Sequence, residues 1–288
     1  MRLRTLRAFL ALVLFGVATA SHALVFVVNE GVTYRVTNDE IRARYAGLAA
    51  DLSKLLKQPV QVEPIGDYPT LRKGIETREY DLAFIHPAHL SILAIRDSGY
   101  RLLAVTKGYQ NYTANFLVRA DSPLKTLTDL KGVRLGAPDE DSITSWMVRA
   151  TLRDALGDAK QVSLVYTRYQ DAVPFFVEHE LTRAGATAAN SVIKAWSAKG
   201  GRILAKSRPV PIKHMLASSS LSAEQVQKVR EYLLGLDATE DGRKKLEPIK
   251  YEGFAPYAEP DMLAIGKWLA LPPGAARAAS QAGDERKP

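Results

Sequence analysis

Short β-branched runs alternate with amphipathic helical stretches nearly to the end of this chain, a rhythm that demands an α/β fold. Leu24 to Val28 (LVFVV) is an uninterrupted apolar run of strand length. From Asn38 to Gln58, the residues Ile41, Tyr45, Leu48, Leu52, Leu55 and Leu56 recur in steps of three and four. That spacing lays one apolar stripe along a helix, which Asn38 or Asp39 can cap and Pro59 ends. Strands are predicted at Val60 to Val62, Asp81 to Ile85 and Leu102 to Val105. Helices are predicted around Leu71 and Ile75 and from Pro87 onward.

Two stretches interrupt the rhythm. Gly108 to Asn115 (GYQNYTAN) is polar and aromatic and leads into a strand at Phe116 to Val118. Arg208 to Lys213 (RPVPIK) carries two prolines and leads into an extended run, His214 to Ala217. Between them lies a second α/β series, with strands near Val133, Val162 and Ala184 and helices near Thr144 to Leu156, Asp171 to Glu180 and Asn190 to Ala198. After the second break, Ser222 with Gln225 makes a capping box, and Val226, Val229, Leu233 and Leu236 form an apolar face. Length and pattern alone admit either one continuous α/β domain or two lobes. In the two-lobe reading residues 24–108 and 208–270 form lobe I and residues 109–207 form lobe II. Two chain crossings then make a hinge, and the lobes enclose a cleft that can close.

Both ends of the chain are read separately from the fold. Arg2, Arg4 and Arg7 precede an apolar run, Ala8 to Ala18, and Ser21-His22-Ala23 offers small residues where a signal peptidase reads. A leader is expected over residues 1–23, cleaved after Ala23, with export to the periplasm; an uncleaved anchor is the alternative. No cysteine is present, so lipid attachment, disulfides, thiol nucleophiles and thiolate metal sites are excluded. Residues 271–288, rich in Pro, Gly, Ala and charge, read as a disordered tail. Without the three leader arginines, 36 of the 39 basic residues remain against 31 acidic ones. An excess so mild and so evenly spread does not make a nucleic-acid-binding surface, although it suits a small anion.

The segment richest in chemistry is Gly136 to Val148 (GAPDEDSITSWMV). A strand ends, a polar loop follows, and a helix begins near Ser142 to Thr144. Unbonded N–H groups and the positive end of the helix dipole gather at such a start, and Ser142, Thr144 and Ser145 add hydroxyls. The arrangement can hold an oxyanion without lysine or arginine, or Ser142 can simply cap the helix. Asp139, Glu140 and Asp141 lack the spacing of a calcium loop and are expected to cap the same helix. His86 and His89 form an H-x-x-H pair with no acid beside them as a third metal ligand. No Gly-x-Ser-x-Gly, His-Glu-x-x-His or P-loop occurs, and none of His86, His89, His179 and His214 has a triad context.

The Gly136 to Val148 segment resembles the Ser-Thr-Ser loop of the phosphate-, phosphite- and phosphonate-binding periplasmic components of ABC importers. Asp81 to Ala88 (DLAFIHPA), Asn111 to Val118 (NYTANFLV), Thr182 to Thr187 (TRAGAT) and Tyr251 to Leu263 (YEGFAPYAEPDML) resemble further segments of that family in the same order. The resemblance implies a two-lobed periplasmic-binding-protein fold, two α/β lobes joined by a two-strand hinge with the ligand cleft between them. It implies that Tyr112, on the crossover, and Tyr68, in Gly66 to Leu71 (GDYPTL), reach a ligand, and that Ser142 and Thr144 match the two serines of the loop. There are departures from the family pattern. Ile143 stands where a threonine is usual, Gln170 near the place of a ligand-contacting histidine, Arg183 in place of an acid, and His86 in place of a small residue.

The function expected is capture of a small phosphate- or phosphonate-like oxyanion for an ABC importer. The ligand set would be Tyr68, His86, Tyr112, Ser142, Thr144, Ser145 and Gln170. The partner would be an inner-membrane permease; a monomer is expected, with no cofactor, no metal and no nucleic acid. The same fold could instead serve a periplasmic sensor feeding a receptor kinase. An exported hydrolase or a metal-binding protein is the more distant alternative.

Overall fold

The structure, a computed structural model, describes residues 22–31 and 36–273. The expected leader falls outside these residues except for His22 and Ala23, and so does the expected tail beyond residue 273.

The first part of the chain runs β1 (Leu24–Asn29), α1 (Asn38–Leu56), β2 (Val60–Pro64), α2 (Tyr68–Thr77), β3 (Leu82–Ile85), α3 (Ala88–Ser98) and β4 (Arg101–Thr106). The apolar run of β1 has its reason in the sheet. β1 lies between β2 and β3, parallel to both, so both of its faces are covered. Val27, Ala83 and Ile85 point into one core, and Phe26, Val28 and Phe84 into the other. The cap of α1 is Thr37, one residue before the expected Asn38. Its hydroxyl accepts from the Glu40 amide while the Glu40 carboxylate accepts from the Thr37 amide, a reciprocal box that Asn38 and Asp39 cannot make from inside the helix. The helix ends at Leu56 because Lys57 turns left-handed, before Pro59 is reached.

The chain then crosses to a second sheet of β5 (Asn115–Val118), β6 (Arg134–Ala137), β7 (Ser163–Tyr166), β8 (Ala184–Thr187) and β9 (Arg202–Lys206), in the order β7-β6-β8-β5-β9. Around it lie α4 (Ile143–Leu156), α5 (Val173–Glu178) and α6 (Asn190–Ala198). On returning, the chain adds β10 (His214–Ala217), α7 (Ala223–Gly235), α8 (Glu240–Leu246), β11 (Phe254–Ala255) and α9 (Glu259–Leu269). β10 inserts antiparallel between β3 and β4, which gives the first sheet the order β11-β4-β10-β3-β1-β2.

The outbound and return strands run side by side. Tyr112 and Val210 exchange both backbone bonds, at 3.1 and 2.9 Å, and the Ile212 amide donates to the Tyr109 carbonyl. Two α/β lobes joined by a two-strand hinge is therefore the architecture. The segment read as a tail from residue 271 is ordered at its start: Leu271 is buried, and the Arg96 guanidinium donates to the carbonyls of Leu271 and Pro272. No helix among the described residues is long and apolar enough to cross a membrane.

Candidate functional site

The parallel strands β1 to β3 of one sheet and β6 to β8 of the other end toward the junction of the lobes, where the antiparallel β10 and β5 begin. There the structure brings together Tyr112 from the hinge, Thr144 from the first turn of α4, and Gln170 from the turn that precedes α5. The Gln170 side-chain amide donates to the Tyr112 hydroxyl at 2.9 Å, and that hydroxyl stands 3.1 Å from the Thr144 hydroxyl. Gln170 is itself fixed from behind. Its carbonyl oxygen accepts from the Thr187 hydroxyl at 3.0 Å and from the Ala188 amide at 2.7 Å. Since Tyr112 accepts from Gln170, its own proton remains for an acceptor in front of it. Burial holds this phenol above its ordinary pKa and so keeps it protonated.

Ser142 caps α4. Its oxygen accepts from the Ser145 amide at 3.2 Å, and its proton goes to the Ser145 hydroxyl at 3.3 Å. Ser145 in turn donates to the Pro138 carbonyl. Its hydroxyl is thus engaged in bracing the loop. The amides of Ile143 and Thr144 have no carbonyl within the helix to bond, so the positive end of a 14-residue helix faces the junction. The acids before it do not cap it. Asp139 accepts from the Asp141 amide, and Asp141 turns outward to the Arg72 guanidinium at 2.9 Å and to the Trp146 indole N–H at 3.2 Å.

His86, between β3 and α3, is buried and meets the Tyr112 ring edge-on at 6.5 Å. Gly31 makes room for it. A β-carbon at Gly31 would lie 2.8 Å from the imidazole, and φ there is +93°. Burial first, then the nearby Lys213, His214 and His89, push the His86 pKa well below its usual value, so the ring is neutral. His89, one helical turn on, faces elsewhere, against the edge of Tyr68 at 5.7 Å and toward Trp146. Tyr68 opens α2, buried behind the Asp67 cap and Pro69. The two histidines therefore do not share a face. Arg183 precedes β8 at the end away from the junction, where its amide bonds the Arg134 carbonyl, and it has no part in the site.

A cleft mouth of about 690 Å³ leads in from solvent, lined by Gly66 to Pro69 on one lobe and by Asp139 to Asp141 and Tyr166 to Arg168 on the other. Sequence reasoning missed Thr187, whose hydroxyl sets Gln170, and the pair Arg72–Asp141, which ties the lobes across the mouth. Only the polar end of the strand Thr182 to Thr187 hinted at the former. Nothing local announces the latter, since its partners lie 69 positions apart.

A family described as ABC transporter, phosphonate, periplasmic substrate-binding protein matches residues 31–262. The chain belongs to this family. Solved structures agree on the fold. XAC2383 from Xanthomonas citri, bound to ATP, is 15% identical with a TM-score of 0.69, over 86% of this chain and 98% of that one. PhnD1 from Prochlorococcus marinus, in complex with methylphosphonate, is 17% identical with a TM-score of 0.63, over 85% and 96%. The periplasmic aliphatic sulphonate binding protein SsuA from Escherichia coli is 17% identical with a TM-score of 0.51, over 92% and 84%. The family is thus one of periplasmic substrate-binding proteins that serve ABC transporters.

Proposed function

We propose that this substrate-binding protein captures a small tetrahedral oxyanion, phosphate- or phosphonate-like, and presents it to an inner-membrane permease as a monomer. The observation that carries this reading is the meeting of the Tyr112 and Thr144 hydroxyls at the positive start of α4. An oxyanion oxygen entering between them would take the proton of each, together with the amides of Ile143 and Thr144. Ser142 would set the helix start, and Ser145 would hold the loop. Gln170 would orient Tyr112, while the neutral His86 and the ring of Tyr68 would close the lobe I side. Residues 24–108 with 208–270, and residues 109–207, would rotate about the paired strands at Tyr112 and Val210. Arg72 and Asp141 would lock the closed arrangement.

The absence of lysine and arginine from this set suits selectivity. Directed donors discriminate by shape, because a poorly matched ligand leaves buried groups unpaired. Two structural relatives point to this oxyanion class, one being in complex with methylphosphonate and the other an aliphatic sulphonate binding protein. Leu24 opens β1, so a cut after Ala23 would leave that strand whole; an amino terminus at Leu24 on exported protein would support the cleavage.

The deciding experiment is a thermal-shift screen followed by calorimetry against phosphate, phosphite, methylphosphonate, aminoethylphosphonate, sulfate and an alkylsulfonate. A ligand at a hundredfold its Kd adds about 2.7 kcal/mol to stability, a shift that is easily read. Tight binding of one phosphorus oxyanion is expected. No response to any of them would refute the reading.

A further inference from the structure

A second cavity, of about 380 Å³, lies between α2, α3 and the first turns of α4, and shares only Asp141 with the cleft mouth. Its walls are mainly apolar: Ile75, Leu90, Leu93 and the Trp146 ring, with Leu271 at the rim. One wall residue is out of place there. His89 is fully buried, yet neither of its ring nitrogens makes a hydrogen bond. Nε2 stands 3.7 Å from Asp141, too far to bond, and that carboxylate is already held by Arg72 and the Trp146 indole. Buried polar groups are almost always satisfied, so an orphan of this kind beside a cavity marks a missing partner. Burial also holds the imidazole neutral, with its pKa pushed down to about 3, which leaves one nitrogen to donate and the other to accept.

Charge and size narrow the occupant. Arg72 lines the cavity with its Nε unpartnered, but its charge is answered by Asp141. Asp97 is paired with Arg96, and Glu76 adds a further carboxylate, so the lining as a whole disfavours an anion. An apolar protein cavity of about 150 Å³ holds benzene. At more than twice that volume, this one accommodates two fused rings. We propose that it is a second binding site, for an uncharged planar molecule of about two fused rings that carries a hydroxyl or amide, lying against Trp146 and hydrogen-bonded to His89. Because α2 and α3 belong to one lobe and α4 to the other, such a molecule binds the closed arrangement and favours it.

The test is calorimetric titration of the purified protein with naphthalene and with 2-naphthol. Saturable one-to-one binding is expected, with 2-naphthol tighter by about fivefold to tenfold, the worth of one hydrogen bond. Leu93→Trp, which fills the cavity from its partly exposed side, should weaken both by at least about tenfold. His89→Leu should keep naphthalene and abolish the preference for 2-naphthol. Saturating methylphosphonate should not displace either probe. Absence of saturable binding, unchanged affinity in a folded Leu93→Trp protein, a preference that survives His89→Leu, or displacement by methylphosphonate would each overturn the proposal.

Discussion

The Tyr112 hydroxyl, on the strand that leaves one lobe, stands 3.1 Å from the Thr144 hydroxyl at the first turn of the other lobe's α4. The contact joins the hinge to the helix start, so it tests binding separately from folding. Tyr112→Phe keeps the ring that His86 meets edge-on and removes only the oxygen. One hydrogen bond to a charged ligand is worth about 1.5–3 kcal/mol, so affinity for the oxyanion found in the screen should fall roughly 10- to 150-fold. The Gln170 amide loses its acceptor, so the melting temperature should fall by roughly 2–10 °C while the protein stays folded at 25 °C. Unchanged affinity would remove Tyr112 from the site.

Asp141 gathers Arg72 from one lobe and Trp146 from its own, and both members of the ion pair are more than a third exposed. A pair so placed is worth only about 0.2–1 kcal/mol and is screened by salt. Its geometry matters more than its energy, because it forms only when the lobes meet. Asp141→Asn should therefore weaken ligand binding by about two- to fivefold and largely remove the dependence of affinity on ionic strength. If the variant kept the salt dependence of the parent protein, the latch would lie elsewhere.

What could be read in the sequence was local. The β1 run, the stripe on α1, the Ser222 capping box and the two breaks at Gly108 and Arg208 each report chemistry within a few residues, and each has its counterpart in the structure. The missed elements lack such signals. β9 is a partly exposed edge strand of mixed composition, β11 spans two residues, and α8 is a short, highly charged turn of helix. At the site, the Ser142 cap was legible because it bonds three residues ahead. The engagement of Ser145 by Pro138, the outward turn of Asp141 and the hold of Thr187 on Gln170 depend on where other side chains lie. Periodicity carries no information about those positions.

Three buried histidines set a pH dependence. Burial chiefly lowers the pKa of His86, and brings those of His89 and His214 down to about 3 from an unfolded value near 6.5. The folded state thus binds fewer protons than the unfolded chain below pH 6.5, and stability falls as the pH drops toward 3. Each histidine contributes a slope of up to about 1.4 kcal/mol per pH unit within that window. Urea unfolding at pH 7.5 and pH 5.5, above the range where most carboxylates titrate, should differ by about 2 kcal/mol or more. Equal stabilities would mean that these rings accept protons in the folded state.

Lys213 occupies the return strand in a left-handed conformation, φ 66°, with its side chain buried. Its ammonium lies 4.2 Å from the Tyr109 ring centre and 4.5 Å from that of Tyr251, and it donates to the Tyr251 hydroxyl at 3.1 Å. Tyr251 and Tyr45 both donate to the Glu30 carboxylate, which is 3.9 Å from the ammonium. Lys213 and Tyr109 thus fix one hinge strand against the other through a buried pair of opposite charges. Removing one member leaves the other uncompensated, a loss of about 3–5 kcal/mol. Lys213→Met should fall at the lower end, because two tyrosine hydroxyls still serve Glu30. The double variant Lys213→Met, Glu30→Gln should recover most of the stability, since no buried charge then remains. Urea unfolding of the parent, both single variants and the double variant completes the cycle. Strictly additive losses would show that the two charges do not sense each other.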